Sequence, residues 1–282
     1  MLPYWLGAWA LQLAPAWIAP DFAVRLPFIA LLALALALVL APAAIARVPV
    51  QGYDVVATYP HDPSAFTEGL FVRDGALFES TGLYPSFIRQ VELETGEVVR
   101  QRDLPTVYFG EGVAAIGERL FSLTWRNHLG FVWRLDDFSP LGAFSYSGEG
   151  WGLTTDGRRL VMSDGTDQIR FIDPDTFAET GRIAVTVYGR PLDQINELEW
   201  VDGEILANIW QDSRIARIDP ETGAVRAFID LAALAPTGPE IDPNDDVANG
   251  VAWDAQARRL FVTGKRWPRL YEIRLKPLAT VQ

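Results

Sequence analysis

Residues 152–183 read GLTTDGRRLVMSDGTDQIRFIDPDTFAETGRI, and this one phrase decides the fold. Two short apolar runs meet at Asp156-Gly157, the strongest short hairpin signal, since both residue types tolerate the backbone that a two-residue turn requires. A third run follows a polar gap, then the turn Asp173-Pro174-Asp175-Thr176 and a fourth run. The hairpin recurs as GLFVRDGALFESTG from Gly69, GVAAIGERLFSLTW from Gly112, LEWVDGEILANIWQ from Leu198 and GVAWDAQARRLFVTGK from Gly250. The second half recurs as IRQVELETGEVV, GFVWRLDDFSPLGAF, IARIDPETGAVRAFI and a final RLYEIRL. A period of about 40 to 55 residues is that of a four-stranded propeller blade, so the chain reads as all-β, a five-bladed β-propeller.

The last copy lacks a fourth strand, while YDVVATY (Tyr53 to Tyr59) is a β-rich run without a place in the first. Setting this amino-terminal strand onto the last blade closes the ring and removes an open sheet edge. No helix-period segment follows residue 47, which leaves Rossmann and α/β-barrel readings without support.

Composition narrows the function. The 282 residues are 49% hydrophobic, enough for a sizeable core. A formal charge of −12 with no basic run argues against nucleic acid as a partner. With no cysteine and two histidines, there is no thiolate site and no basis for a zinc centre built on several histidines. His61, in Tyr59-Pro60-His61-Asp62-Pro63, reads as part of a solvated loop, and His128 follows Trp125 closely enough to reach its rim.

Ahead of the repeats, residues 26–46 form an uncharged Leu/Ala stretch between Arg25 and Arg47, ending in Ala44-Ile45-Ala46. This is the pattern of a signal-peptide core with cleavage after Ala46, and as a helix it also reaches the length of a membrane anchor. Residues 1–24 are apolar as well but carry no basic start, so they are either a first membrane-associated segment or lie upstream of the true initiation site. The expected organisation is a signal or anchor over 1–46 and a catalytic propeller over 47–282. That domain is expected to be monomeric and to face the periplasm or the extracellular space.

In a propeller, the start of the innermost strand and the end of the second lie on one face. Just before the first strand the five copies carry Glu68, Glu111, Trp151, Asn196 and Asn249; at the end of the second they carry Thr81, Trp125, Asp164, Trp210 and Lys265. Carboxylates, amides, a lysine and three tryptophans at one end of the axis read as a ligand site. A plainer account fits the same set, with the tryptophans as core between blades and the polar groups capping the channel. In the functional account Glu111, held between Gly110 and Gly112, is the candidate acid–base, and Glu68 beside it would split the two carboxyl pKa values. Asn196 and Lys265 are candidate donors to a developing oxyanion, and the indoles form an apolar box with N–H groups left available.

The motifs PHDPSAFTEGLF, LFESTGLY, FGEGVA, SLTWRNHLGFVW, GEGWGLTTDG, SDGTDQIRFIDPDTF, INELEWVDGEILANIWQ, RIARIDPETG and LFVTGKRWPRLYEI, spanning residues 59–273, carry a resemblance. The chain resembles the plant and bacterial glutamine cyclotransferases. That resemblance implies a five-bladed propeller converting amino-terminal glutamine of peptides to pyroglutamate with release of ammonia, unrelated to the zinc-dependent animal type. Transferred by motif, it makes Glu111 the catalytic acid–base and builds the pocket from Phe66, Glu68, Phe109, Trp125, Trp151, Asn196, Trp210 and Lys265. Plant members have Gln where Glu68 stands in FTEGL, whereas Glu there resembles the bacterial members. No cofactor is implied for the chemistry. A structural calcium is implied by the plant members, with Asp164, Asp245, Asp246 and Asn249 as oxygen-bearing candidates. Two other readings compete: a propeller that binds peptide amino termini without turnover, and a hydrolase or lyase for another small substrate.

Overall fold

The structure, a computed structural model, describes residues 47–278. The proposed signal or anchor over 1–46 lies outside the described residues. Among the described residues, no helix is long and apolar enough to cross a membrane.

The unit from Val48 onward is a ring of five antiparallel blades. From the axis outward, blade 1 runs through Thr67–Arg73, Ala76–Thr81, Phe87–Val91 and Val98–Asp103. Blade 2 is Gly110–Ile116, Arg119–Thr124, Leu129–Arg134 and Pro140–Ser145, and blade 3 is Leu153–Thr155, Leu160–Ser163, Gln168–Ile172 and Glu179–Ala184. Blade 4 is Ile195–Val201, Glu204–Ile209, Arg214–Ile218 and Val225–Asp230. Blade 5 takes Ala248–Asp254, Arg259–Gly264 and Arg269–Leu275 from the end of the chain. Its outer strand is Tyr53–Pro60, antiparallel to Arg269–Leu275, so the amino-terminal strand closes the ring as expected. Beyond the expected pattern, Val50–Gln51 adds a short parallel strand outside blade 4, pairing Val50 with Phe228.

Local chemistry explains the turns. At Asp74-Gly75 and Asp202-Gly203 both residues have positive φ, the paired left-handed geometry that links tightly twisted strands. At the outer turns Asp173 and Asp219 each accept hydrogen bonds from backbone N–H groups two and three residues on, so one carboxylate folds each corner.

The interior is divided by seam. Five buried apolar clusters each join two neighbouring blades, from Phe71, Phe78 and Trp133 between blades 1 and 2 to Leu70, Leu77, Phe261 and Leu270 between blades 5 and 1. Each fully buried Leu, Ile or Phe contributes roughly 1.5–3 kcal/mol. Stabilisation therefore resides between blades, and an incomplete ring forfeits two seams at once.

One irregularity positions the site. The innermost strands of blades 1, 2, 4 and 5 each carry a register shift against their neighbours, between Thr67 and Gly69, Gly110 and Val113, Ile195 and Leu198, and Ala248 and Val251. An extra residue in one strand breaks the alternation and re-aims a side chain. Those shifts enclose Glu68, Glu111, Asn196 and Asn249, which thus sit inside the strands rather than just ahead of them.

Candidate active site

Phe66, Glu68, Leu83, Phe109, Glu111, Trp125, Arg126, Glu149, Trp151, Asn196, Trp210, Asp245 and Lys265 enclose about 400 Å³ at the mouth of the ring. Every pocket residue drawn from the sequence motifs is in this set. Leu83, Arg126, Glu149 and Asp245 are additional. Thr81 and Asp164 do not line the pocket, and Asn249 lies behind it.

The mouth is built by a repeated bond. The residue after the second strand donates its backbone N–H to a carbonyl at the start of the first: Gly82 to Phe66, Trp125 to Phe109, Trp210 to Gln194 and Lys265 to Val247. This fixes Trp125, Trp210 and Lys265 beside the bulged positions. The walls are aromatic, with Phe109 against Trp125 at 5.4 Å between centroids, edge-on to Phe66 at 6.2 Å, and Trp151 edge-on to Trp210 at 5.8 Å. Two glycines make room for them: an added Cβ would stand 2.3 Å from the Phe109 ring at Gly82 and 2.6 Å from the Trp151 ring at Gly165.

At the buried end stand the two carboxylates. Glu68 accepts a hydrogen bond from Lys265 Nζ at 2.7 Å and from the Asn249 amide at 3.2 Å, and Lys265 Nζ also lies 4.4 Å above the Phe66 ring. Burial raises the Glu68 carboxyl while Lys265 opposes it by charge and hydrogen bond. For Glu111, burial and then the Glu68 charge push the carboxyl well above the usual range, with Lys265 pulling down and Glu149 adding to the rise. No hydrogen bond from a described residue holds the Glu111 carboxyl. The pair is thus asymmetric: Glu68 is bonded to a cation, and Glu111 carries no such partner among the described residues.

Asn196 is a buried pocket-lining residue whose side-chain oxygen lacks a partner among the described residues. A buried polar atom without a partner is costly unless a ligand supplies one.

Two sequence expectations are corrected. The indole N–H groups of Trp125 and Trp151 are not available to a ligand, because both donate to Glu149, at 2.7 and 2.9 Å. His61 is no solvated loop residue: it is buried, its Nδ1 2.6 Å from the Trp267 carbonyl and its Nε2 3.1 Å from Glu79. The four calcium candidates each have partners of their own. Asp164 accepts from Thr166, Asp246 is paired with Arg266 at 2.5 Å, Asp245 faces Arg266 at 3.7 Å and Asn249 donates to Thr67 and Glu68. Among the described residues no group of three acidic or histidine side chains is placed to hold a metal. His128 does not line the pocket; it is exposed and bonded to the Gly148 carbonyl at 2.5 Å.

Below the site the axis holds two more carboxylates that sequence reading missed. Glu197 accepts backbone N–H bonds from Leu70 of blade 1 and Val251 of blade 5, and Glu199 accepts from Trp253 of blade 5 and from Thr154 Oγ1 of blade 3. Their period-two spacing was the only signal available.

Comparison with known proteins gives a consistent result. A family model described as glutamine cyclotransferase matches residues 29–275. A glutaminyl-peptide cyclotransferase of Arabidopsis thaliana is 44% identical over 227 residues, covering 79% of this chain and 71% of that protein. The crystal structure of a glutaminyl cyclase of Myxococcus xanthus superposes with a TM-score of 0.75 at 42% identity, covering 82% of this chain and 99% of that one.

Proposed function

The chain belongs to the glutamine cyclotransferase family, and on that premise we propose that Glu111 is the acid–base of a reaction closing the amino-terminal glutamine of a peptide into pyroglutamate with release of ammonia. The substrate's α-amine attacks its own γ-carboxamide carbon, forming the ring C–N bond. The γ-nitrogen leaves as ammonia when the old C–N bond breaks. Glu111 takes a proton from the attacking amine and returns it to the departing nitrogen, a transfer worth about 10² to 10⁴ in rate. Its burial and the neighbouring Glu68 charge raise the carboxyl, which favours the form that holds that proton.

The side-chain NH2 of Asn196 donates to the carbonyl oxygen as it becomes an oxyanion, joined by a proton of Lys265 not engaged by Glu68. Glu68 keeps Lys265 in place. The aromatic walls pack the methylenes of the glutaminyl side chain and favour the folded conformer, an orientation effect. This chemistry draws on the chain's own groups without a cofactor.

The observation that carries the reading is the buried Glu111 carboxyl, free of hydrogen bonds from the described residues, beside a lysine-paired Glu68 in an aromatic pocket. Glu111→Gln should fold as the parent does and lose nearly all ammonia release from a Gln-initiated peptide. Near-parental turnover would remove Glu111 from this role. Residues 26–46 support export to the periplasm or the extracellular space, with the propeller released by cleavage or kept on the membrane, and the closed ring supports a monomer.

A further inference from the structure

The run Gly148-Glu149-Gly150-Trp151 places a third carboxylate at the mouth, and its contacts differ from those of Glu68 and Glu111. Glu149 Oε2 accepts two indole N–H groups at once, from Trp125 at 2.7 Å and Trp151 at 2.9 Å. The two indoles come from different blades, Trp125 following the second strand of blade 2 and Trp151 preceding the first strand of blade 3. The other oxygen, Oε1, accepts from Arg126 Nε at 3.0 Å, and the Arg126 guanidinium lies 3.7 Å above the Trp125 ring. One carboxylate therefore ties two walls to each other and to a cation that covers one of them.

We propose that Glu149 is a positioning residue that fixes the orientation of the Trp125 and Trp151 walls and thereby determines how closely the glutaminyl side chain is held for ring closure. The proposal rests on the functional reading given above. With both N–H groups turned to Glu149, neither of these two indoles has a donor left for the substrate, and the two walls act on it through their ring faces. A half-exposed carboxylate at the rim is a charged group in a position where apolar packing alone would tolerate many side chains. Its two indole bonds and one guanidinium bond account for its presence there. Burial alone would raise the Glu149 carboxyl, but the bonds from Trp151, Arg126 and Trp125 outweigh it and hold the group below the usual range, so it is ionised when it accepts them.

Two substitutions separate the clamp from the charge. In Glu149→Gln the single amide oxygen can still accept both indoles, while the negative charge is lost; in Glu149→Ala both are lost. Indole N–H resonances of the ¹⁵N-labelled chain report the clamp directly. In the alanine variant the Trp125 and Trp151 resonances should move upfield and KM for a Gln-initiated peptide should rise on the order of 10- to 100-fold, as expected for hydrogen bonds to a charged group.

The glutamine variant should keep both resonances near their parental positions and KM within about threefold, since the acceptor remains. Its acid limb of kcat/KM against pH should move to lower pH. Glu149 is one of the charges facing Glu111, together with Glu68, Lys265 and the Tyr146 hydroxyl, while Asp245 acts on Glu68 and Arg126 on Glu149. A merely structural role would not move that limb. An alanine variant with parental indole shifts and parental KM would overturn the proposal, as would, if the alanine chain does not fold, a glutamine variant in which KM rises more than about tenfold while both indole resonances keep their parental positions. Turnover by the parent chain, measured alongside, tests the functional reading, and the indole shifts test the clamp independently of it.

Discussion

Glu79→Gln should weaken the fold most at mild pH and progressively less in acid. Glu79 is the hub of the seam between blades 1 and 5, where the ring closes. It accepts from Arg89 Nε at 2.7 Å and Thr67 Oγ1 at 2.7 Å and meets His61 Nε2 at 3.1 Å, while Arg89 also bonds Asp62 at 2.9 Å. His61 and Asp62 follow the closing strand Tyr53–Pro60, and the His61 ring is anchored on the other side to the Trp267 carbonyl of blade 5.

Burial would raise the Glu79 carboxyl, but the His61 charge and hydrogen bond, with Arg89 and Thr67, hold it down at about 2 against an ordinary 4.5. As pH falls below 4.5 the unfolded chain takes up this proton before the folded one does. At about 1.4 kcal/mol per pH unit, about 3 kcal/mol of stability is lost by the time pH reaches 2. His61 adds a second window: burial lowers its pKa but Glu79 raises it more, so its contribution is lost as pH climbs above 6.5 through the raised value. The glutamine variant also leaves Arg89 buried beside an uncharged partner, and breaking a buried pair costs about 3–5 kcal/mol.

The assay is urea unfolding at fixed temperature from pH 3 to pH 7. The stability gap between parent and variant should be about 3–5 kcal/mol at pH 6 and about 2 kcal/mol smaller at pH 3, with m unchanged. A gap of constant size across that range would refute the argument, since it would mean that Glu79 titrates alike in the folded and unfolded chain.

Two further outcomes test the axis and the site. Burial raises the Glu199 carboxyl to about 8, so stability should fall as pH rises from 4.5 to 8, by up to about 5 kcal/mol. Glu199→Gln, which mimics the protonated form, should therefore gain on the parent across that window in thermal unfolding and level off above it; a variant whose melting temperature declines in parallel with the parent would show Glu199 to be ionised throughout. Lys265→Met removes the cation bonded to Glu68 and a donor facing the pocket, and kcat/KM should fall on the order of 10²-fold. Turnover within threefold of the parent would assign the oxyanion to other donors.

The ring and its closure could be read because they follow from local chemistry: Asp-Gly turns, Asp-Pro corners and a surplus strand at one end matching a deficit at the other. The pocket residues could be read because they interrupt an otherwise regular repeat. What escaped reading depends on partners distant in sequence. His61 looks like a turn residue until Glu79 and Trp267 are brought to it, 18 and 206 positions away. Glu149 looks like a glycine-loop acid until two indoles converge on it. Glu197 and Glu199 differ from outward-facing strand residues only in pointing to the axis, which the sequence pattern does not reveal.

The register shifts in the innermost strands bear on how such a ring can change its chemistry. Three of them present a side chain to the mouth and the fourth sets Asn249 behind it, while the residues on either side continue to serve the blade seams. Glu68, Glu111, Asn196 and Asn249 are therefore exchangeable in a way that Leu70, Val113, Leu198 and Val251 are not. The vocabulary facing the ligand is separate from the vocabulary that folds the chain, so inheritance could revise the first, blade by blade, without renegotiating the second.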